Sequence, residues 1–127
     1  MITEKITKIK NLRKEKELIM QEMNEQTRPV KTNLEEIPSV FEKFKCVANP
    51  DYKDNIKIFI FLVFYMYSPA SCVGRSVRGG VRRNIAKLLQ VTNSSVSQQF
   101  GDAKVLFNKH RGFKAETERV YALLVSE

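Results

Sequence analysis

The sequence predicts an all-α fold, a small helical bundle preceded by a helical arm. Residues 2–25 contain neither glycine nor proline and are rich in strong helix formers. The apolar run 58–67 is followed by Pro69, and a proline disfavours helical geometry in the residue before it, so it fits a helix end. In residues 85–89 and again in residues 96–107, apolar side chains recur every three or four positions, the spacing of helices with one buried face.

The N-terminal arm is predicted to cover residues 1–26. Its apolar residues fall on heptad-like spacing, which is typical of a short coiled coil that oligomerises. Lys5 and Lys16 interrupt this seam. The alternative is an amphipathic helix packed on its own domain, or a partly frayed end. The apolar positions concerned are Ile2, Ile9, Leu12, Ile19 and Met23.

Residues 27–36 are predicted to be a linker, because Pro29 stops a helix and the segment lacks apolar periodicity. The helical domain then covers residues 37–127. A short helix is expected from Val40 to about Ala48, with Pro38 suited to its first turn.

The run 52–67 is the most ambiguous segment of the helical domain. Its β-branched and aromatic residues favour a strand, but its length favours a central buried helix. Further along, a helix is expected to extend to Lys109. A turn is expected at Gly112, followed by a last helix over Lys114–Val125.

The positive charge of the chain is concentrated in its C-terminal part. The formal net charge is +8, and residues 70–127 hold ten basic and four acidic side chains. Such localisation predicts a polyanionic partner, and nucleic acid is favoured over a membrane surface because no long basic amphipathic helix accompanies it. The apolar run 58–67 has ten residues, whereas about twenty are needed to span a bilayer.

Catalysis and metal binding are not expected from this composition. Cys46 and Cys72 have no metal-ligand spacing, and His110, the single histidine, cannot complete a zinc site with them. The acidic residues are scattered, so we expect no enzymatic activity and no cofactor. The charged N-terminus lacks the apolar segment of a secretion signal, which favours a cytoplasmic location.

The stretch "RRNIAKLLQVTNSSVSQQF", residues 82–100, opens a segment that reaches about residue 109 and has the pattern of two short packed helices. Ala86 is a small residue suited to a helix crossing, and Val91 is expected to plug the turn. Thr92, Asn93 and Ser94 are all competent N-caps for the second helix. The residues expected to face inward are Ile85, Leu88, Leu89, Val96, Phe100, Ala103 and Phe107.

The portion "IAKLLQVTNSSVSQQF" resembles the helix-turn-helix superfamily of DNA-binding domains. The resemblance implies that Ser94–Phe100 begins a recognition helix. Two positions depart from the usual pattern. Gln90 stands where a turn glycine is common, so either it adopts a left-handed conformation at some cost or the turn differs slightly from the usual one. Phe100 follows Val96 by four residues, where three is commoner.

The resemblance also implies roles for individual residues. Asparagine and glutamine can pair bidentately with adenine, and serine accepts several partners. The arginines and the lysine are placed to meet phosphates, although each taken singly is equally well explained as a solvated surface charge. The implied base-reading residues are Asn93, Ser94, Ser97 and Gln98, and the implied phosphate-binding residues are Arg75, Arg78, Arg82, Arg83 and Lys87.

The expected function is therefore transcriptional regulation through double-stranded DNA, with a homodimer as the expected assembly, since one such module reads few base pairs. The alternative is an oligomeric assembly, packaging or architectural protein that binds DNA non-specifically or not at all. The stretch "YMYSPAS", followed by the basic loop 70–83 and then this motif, resembles small proteins of bacteriophages and mobile elements. The abundance of Lys, Ile and Asn is similar to that of AT-rich genomes.

Overall fold

The computed structural model describes residues 1–74 and 77–126, and within these residues the chain forms six α-helices and no strand. The predicted all-α fold is thus confirmed. Two short 3-10 helices, Leu34–Glu36 and Pro69–Val73, lie between them. The α-helices are α1 (Ile2–Gln26), α2 (Ile37–Val47), α3 (Asn55–Tyr67), α4 (Val81–Leu89), α5 (Asn93–Lys109) and α6 (Arg111–Val125).

Helix α3 is the centre of the bundle and packs against α2, α4, α5 and α6. Of residues 58–67, only Tyr65 is exposed. The run is therefore a buried helix, as its length predicted, and its strand-like composition reflects burial on nearly all sides. The helix begins at Asn55 rather than near residue 52, and it ends where Ser68 precedes Pro69.

Aromatic pairs join α3 to its neighbours. The rings of Phe64 and Phe100 stack with centroids 4.0 Å apart and planes 14° apart, which seats α5 on α3. On another side of α3, the ring centroid of Phe59 lies 5.2 Å from that of Phe44 in α2. Such pairs add roughly 0.5–1.5 kcal/mol each beyond the burial of their area, so they fix helix positions as well as filling space.

Residues 27–36 are held against the bundle. The Lys31 amide donates to the Met66 carbonyl at 3.0 Å. Half-buried Leu34 packs over Gly80, where an added Cβ would lie 2.7 Å from a Leu34 methyl. Gly80 also has φ +91°, so both space and backbone geometry require glycine there.

Two predicted helix boundaries shift in the structure. Helix α6 begins at Arg111, so the expected turn at Gly112 is wrong. The chain instead turns at His110, whose Nδ1 accepts a hydrogen bond from the Phe113 amide at 3.0 Å and caps the helix. Helix α2 begins at Ile37 rather than Val40, with Pro38 in its first turn as predicted.

Replacing Phe64 by alanine tests the central packing. We expect Phe64→Ala to lower the free energy of unfolding by about 3–5 kcal/mol, because a fully buried ring that stacks on Phe100 is lost. The matched control on the same helix is Ile56→Ala, at a 41% exposed side chain, which should change stability by under about 1 kcal/mol. Urea unfolding followed by circular dichroism measures both, and equal losses would contradict the central role of α3.

Candidate nucleic-acid interface

A tight left-handed turn joins α4 to α5. Gln90 has φ 58° and ψ 45°, so of the two expected alternatives it adopts the left-handed conformation. Its amide donates to the Lys87 carbonyl at 3.4 Å, and the Val91 amide donates to the Ala86 carbonyl at 3.0 Å. This pair of bonds is a Schellman motif, which satisfies carbonyls that the end of α4 would leave unpaired. Its left-handed residue is usually glycine.

Helix α5 starts immediately after this turn. The Thr92 side chain accepts a hydrogen bond from the Ser95 amide at 3.0 Å, so Thr92 is the N-cap. The first helical residue is Asn93, one position earlier than Ser94. Only Val91 and Thr92 separate the left-handed residue from α5, and the angle between α4 and α5 is set within these few residues.

The inward faces of α4 and α5 are mostly as predicted. Ile85 and Val96 are fully buried, and Ala86 is buried as well. Val91 is an exception. Its side chain is 38% exposed, so its predicted role as a plug beneath the turn is wrong. The buried residues that flank the turn in sequence are Ala86 and Val96 instead.

The four predicted base-reading residues share one exposed face at the start of α5. Asn93, Ser94, Ser97 and Gln98 are all exposed. Their spacing of one, three and one residues keeps them within about 8 Å along the helix axis. Gln99 is different, because it is half-buried and its amide donates to the Ser95 hydroxyl at 3.2 Å. The face therefore consists of uncharged donors and acceptors at a helix N-terminus.

The predicted phosphate-binding residues divide into separate groups. Arg83 and Lys87 are exposed, lie four apart on α4, and have no ion-pair partner among the described residues. Arg82 is half-buried, and its Nε is enclosed. The guanidinium of Arg78 donates to the Thr32 carbonyl at 2.8 Å. The fifth residue, Arg75, lies outside the described residues.

A long segment without acidic residues is a further indication of a positively charged surface in the sequence. Residues 55–101 contain six basic side chains and no aspartate or glutamate. The structure folds this acid-free segment into α3, α4 and the first half of α5. The first acidic residue that follows is Asp102, about 12 Å along the helix from Ser94. The positive potential beside the start of α5 is thus not neutralised by an acid within this segment.

A largely apolar cavity of about 350 Å³ lies elsewhere, between α3, the Pro69–Val73 turn, α5 and α6. Its walls include Phe61, Phe107 and Tyr121, together with Cys72. Burial raises the pKa of the Cys72 thiol to about 11, so the thiol stays protonated at neutral pH and is a poor nucleophile. Among the described residues, no cluster of three metal-ligating side chains occurs.

Comparison with protein families, with curated proteins and with solved structures gives no match for this chain. Within the described part of the chain, none of the helices combines the length and apolar character needed to cross a membrane.

Glycine substitutions at two glutamines, Gln90 in the turn and Gln98 in α5, are expected to change the free energy of unfolding in opposite directions. Gln90→Gly should raise the free energy of unfolding by about 0.5–1 kcal/mol, because glycine avoids a left-handed cost of about 1–2 kcal/mol while losing some backbone entropy. Gln98→Gly, in the helical and exposed part of α5, should lower it by about 1 kcal/mol. Denaturant midpoints of the two variants provide the measurement, and a loss of stability in Gln90→Gly would contradict the left-handed turn.

Proposed function

We propose that the chain binds double-stranded DNA, with α4 and α5 acting as a helix-turn-helix and α5 as its recognition helix. The observation that carries this proposal is the placement of four exposed, uncharged polar residues on the first turns of α5, next to exposed Arg83 and Lys87 on α4. A recognition helix presents its N-terminal residues to base edges while the preceding helix approaches the backbone.

Three features of the α4–α5 pair support the proposal. The turn is short and ordered by backbone hydrogen bonds, so the angle between the helices is defined. Ala86, the small residue expected at the helix crossing, is buried. The side of α5 opposite its polar face is anchored by Val96 and Phe100, and Phe100 stacks on the central helix. A recognition helix needs this rigidity, because base contacts depend on placement within fractions of an ångström.

The proposed roles follow from the chemistry of each side chain. Gln98 and Asn93 can each offer a donor and an acceptor to an adenine edge, and Ser94 and Ser97 can donate or accept. Arg83 and Lys87 would contact phosphates, which fix register and affinity without reading sequence. Arg78 and Arg82 are weaker candidates for phosphate contacts. The Arg78 guanidinium already donates a hydrogen bond to the Thr32 carbonyl, and Arg82 is half-buried.

Sequence-specific binding would make the protein a transcriptional regulator, whereas uniform binding would make it an architectural or packaging protein. The exposed N-terminal helix, which buries no side chain, is the observation that favours an assembly role. Selection from random duplexes distinguishes the two. A regulator should prefer one site over random DNA by about 10³-fold or more, and equal affinity for all duplexes would favour the architectural role.

Removing the two exposed charges of α4 should weaken binding to every duplex. We expect Arg83→Ala with Lys87→Ala to flatten the slope of log affinity against log salt by about two units, because two phosphate contacts are lost. The control Lys109→Ala with Arg111→Ala removes the same charge far from the polar face, because Lys109 lies about 23 Å from Ser94 along the axis of α5 and Arg111 begins α6. This control should leave the slope unchanged. Fluorescence anisotropy at several salt concentrations measures both, and equal effects would indicate general electrostatic attraction only.

Gln98→Ala should relax base preference at one or two positions of the selected site, with a loss of discrimination of about 1–3 kcal/mol there. Gln99→Ala is the control, because the Gln99 side chain is bonded to Ser95 within α5. Competition binding with single-base variants of the site gives the readout. An unchanged preference in Gln98→Ala would mean that the start of α5 does not read bases.

A further inference from the structure

Helix α1 has 25 residues and buries none of its side chains. Eight large apolar residues on it are exposed, which leaves substantial apolar surface in water. At 100° per residue, seven of them fall within an arc of about 140°, and only Leu18 lies on the opposite side. The seven are Ile2, Ile6, Ile9, Leu12, Ile19, Met20 and Met23. Most helix stability in proteins comes from packing of an apolar face, and α1 buries no side chain against the bundle, so this stripe is available to a partner.

The charges of α1 are separated along its length. Residues 2–14 carry five basic side chains and one acidic, whereas residues 15–26 carry four acidic and one basic. Glu22 and Glu25 also lie near the negative end of the helix dipole, and the last turn has no basic residue. A second α1 in the opposite direction would place each basic half beside an acidic half and would also oppose the dipoles. A parallel copy would place like charges together.

We propose that two copies of the chain associate through α1 as an antiparallel helix pair. One register uses the whole stripe. It places Ile9 of each copy opposite Ile19 of the other, in two layers related by symmetry. The same register sets Leu12 against the aliphatic stem of Lys16, so that this lysine can lie along the seam while its ammonium group stays in water.

The outer layers of this register pair opposite charges. Lys5 of one copy lies opposite Met23 of the other, and its ammonium group reaches toward Glu22 on the turn beside that methionine. Lys8 approaches the same Glu22 from the flank of the seam. The two lysines that interrupt the heptad pattern, Lys5 and Lys16, thus become compatible with pairing once the partner helix runs in the opposite direction.

Antiparallel pairing also determines where the two bundles lie. Each bundle follows the C-terminal end of its α1, so the two bundles leave the pair at opposite ends, about 36 Å apart along the axis. The pairing itself does not depend on DNA binding.

Site-directed cross-linking tests the orientation. In the full chain with Cys46→Ser and Cys72→Ala, one protein carries Ile9→Cys and another carries Ile19→Cys. After mixing and air oxidation, peptide mapping by mass spectrometry should find the disulfide between positions 9 and 19. Links between two copies of position 9, or two copies of position 19, would overturn the proposal.

The mass of the protein in solution, measured without DNA, tests the association. Sedimentation equilibrium should give two copies for the unaltered chain, and Ile9→Ala with Ile19→Ala should raise the Kd by about a hundredfold or more. Leu18→Ala, on the opposite side of α1, is the matched control and should leave the Kd unchanged. A monomer at tens of micromolar, or a larger assembly, would overturn the proposal while leaving the proposed function in place.

Charge reversal tests the electrostatic part. Glu22→Lys with Glu25→Lys should weaken self-association, as should Lys5→Glu with Lys8→Glu, and mixing the two proteins should restore pairing. Self-association that is insensitive to either reversal would contradict the charge complementarity on which the antiparallel orientation rests.

Discussion

The burial of α3 is the constraint on which the rest of the structure depends. This helix is apolar on nearly all sides, so it is stable only when other helices surround it. The stacked pair of Phe64 and Phe100 then determines where α5 lies, and α5 in turn determines where its first turns face. The polar face proposed to read DNA is thus positioned by a contact on the other side of the same helix.

The candidate interface combines rigidity with an open surface. Thr92 caps α5, and the Schellman bonds at Gln90 close α4, so the backbone between the helices has few free groups. The polar side chains at Asn93, Ser94, Ser97 and Gln98 stay exposed because the packing of α5 uses its opposite side. A surface of this kind satisfies its backbone internally and leaves side-chain donors and acceptors for a partner.

Charge has different arrangements in the two parts of the chain. In the bundle, the segment 55–101 contains no acidic residue, so α4 and the first half of α5 carry only basic charges of their own, which suits a polyanion. In α1, both signs are present but separated along the helix, which suits a second copy in the opposite orientation. The two arrangements are spatially compatible, because α1 contributes no buried residue to the bundle.

The sequence by itself determined the helical class and the buried helix at 58–67, because these follow from periodicity and length. For Gln90 it left two geometries open, and the structure shows the left-handed one. Only the tertiary structure decided which polar groups remain available. Arg78, one of the predicted phosphate-binding residues, donates a hydrogen bond to the carbonyl of Thr32, which is distant in sequence. Arg82, another of them, is half-buried by packing. The exposure of Val91 also depends on tertiary packing, because no local sequence pattern determines how α5 packs against α3.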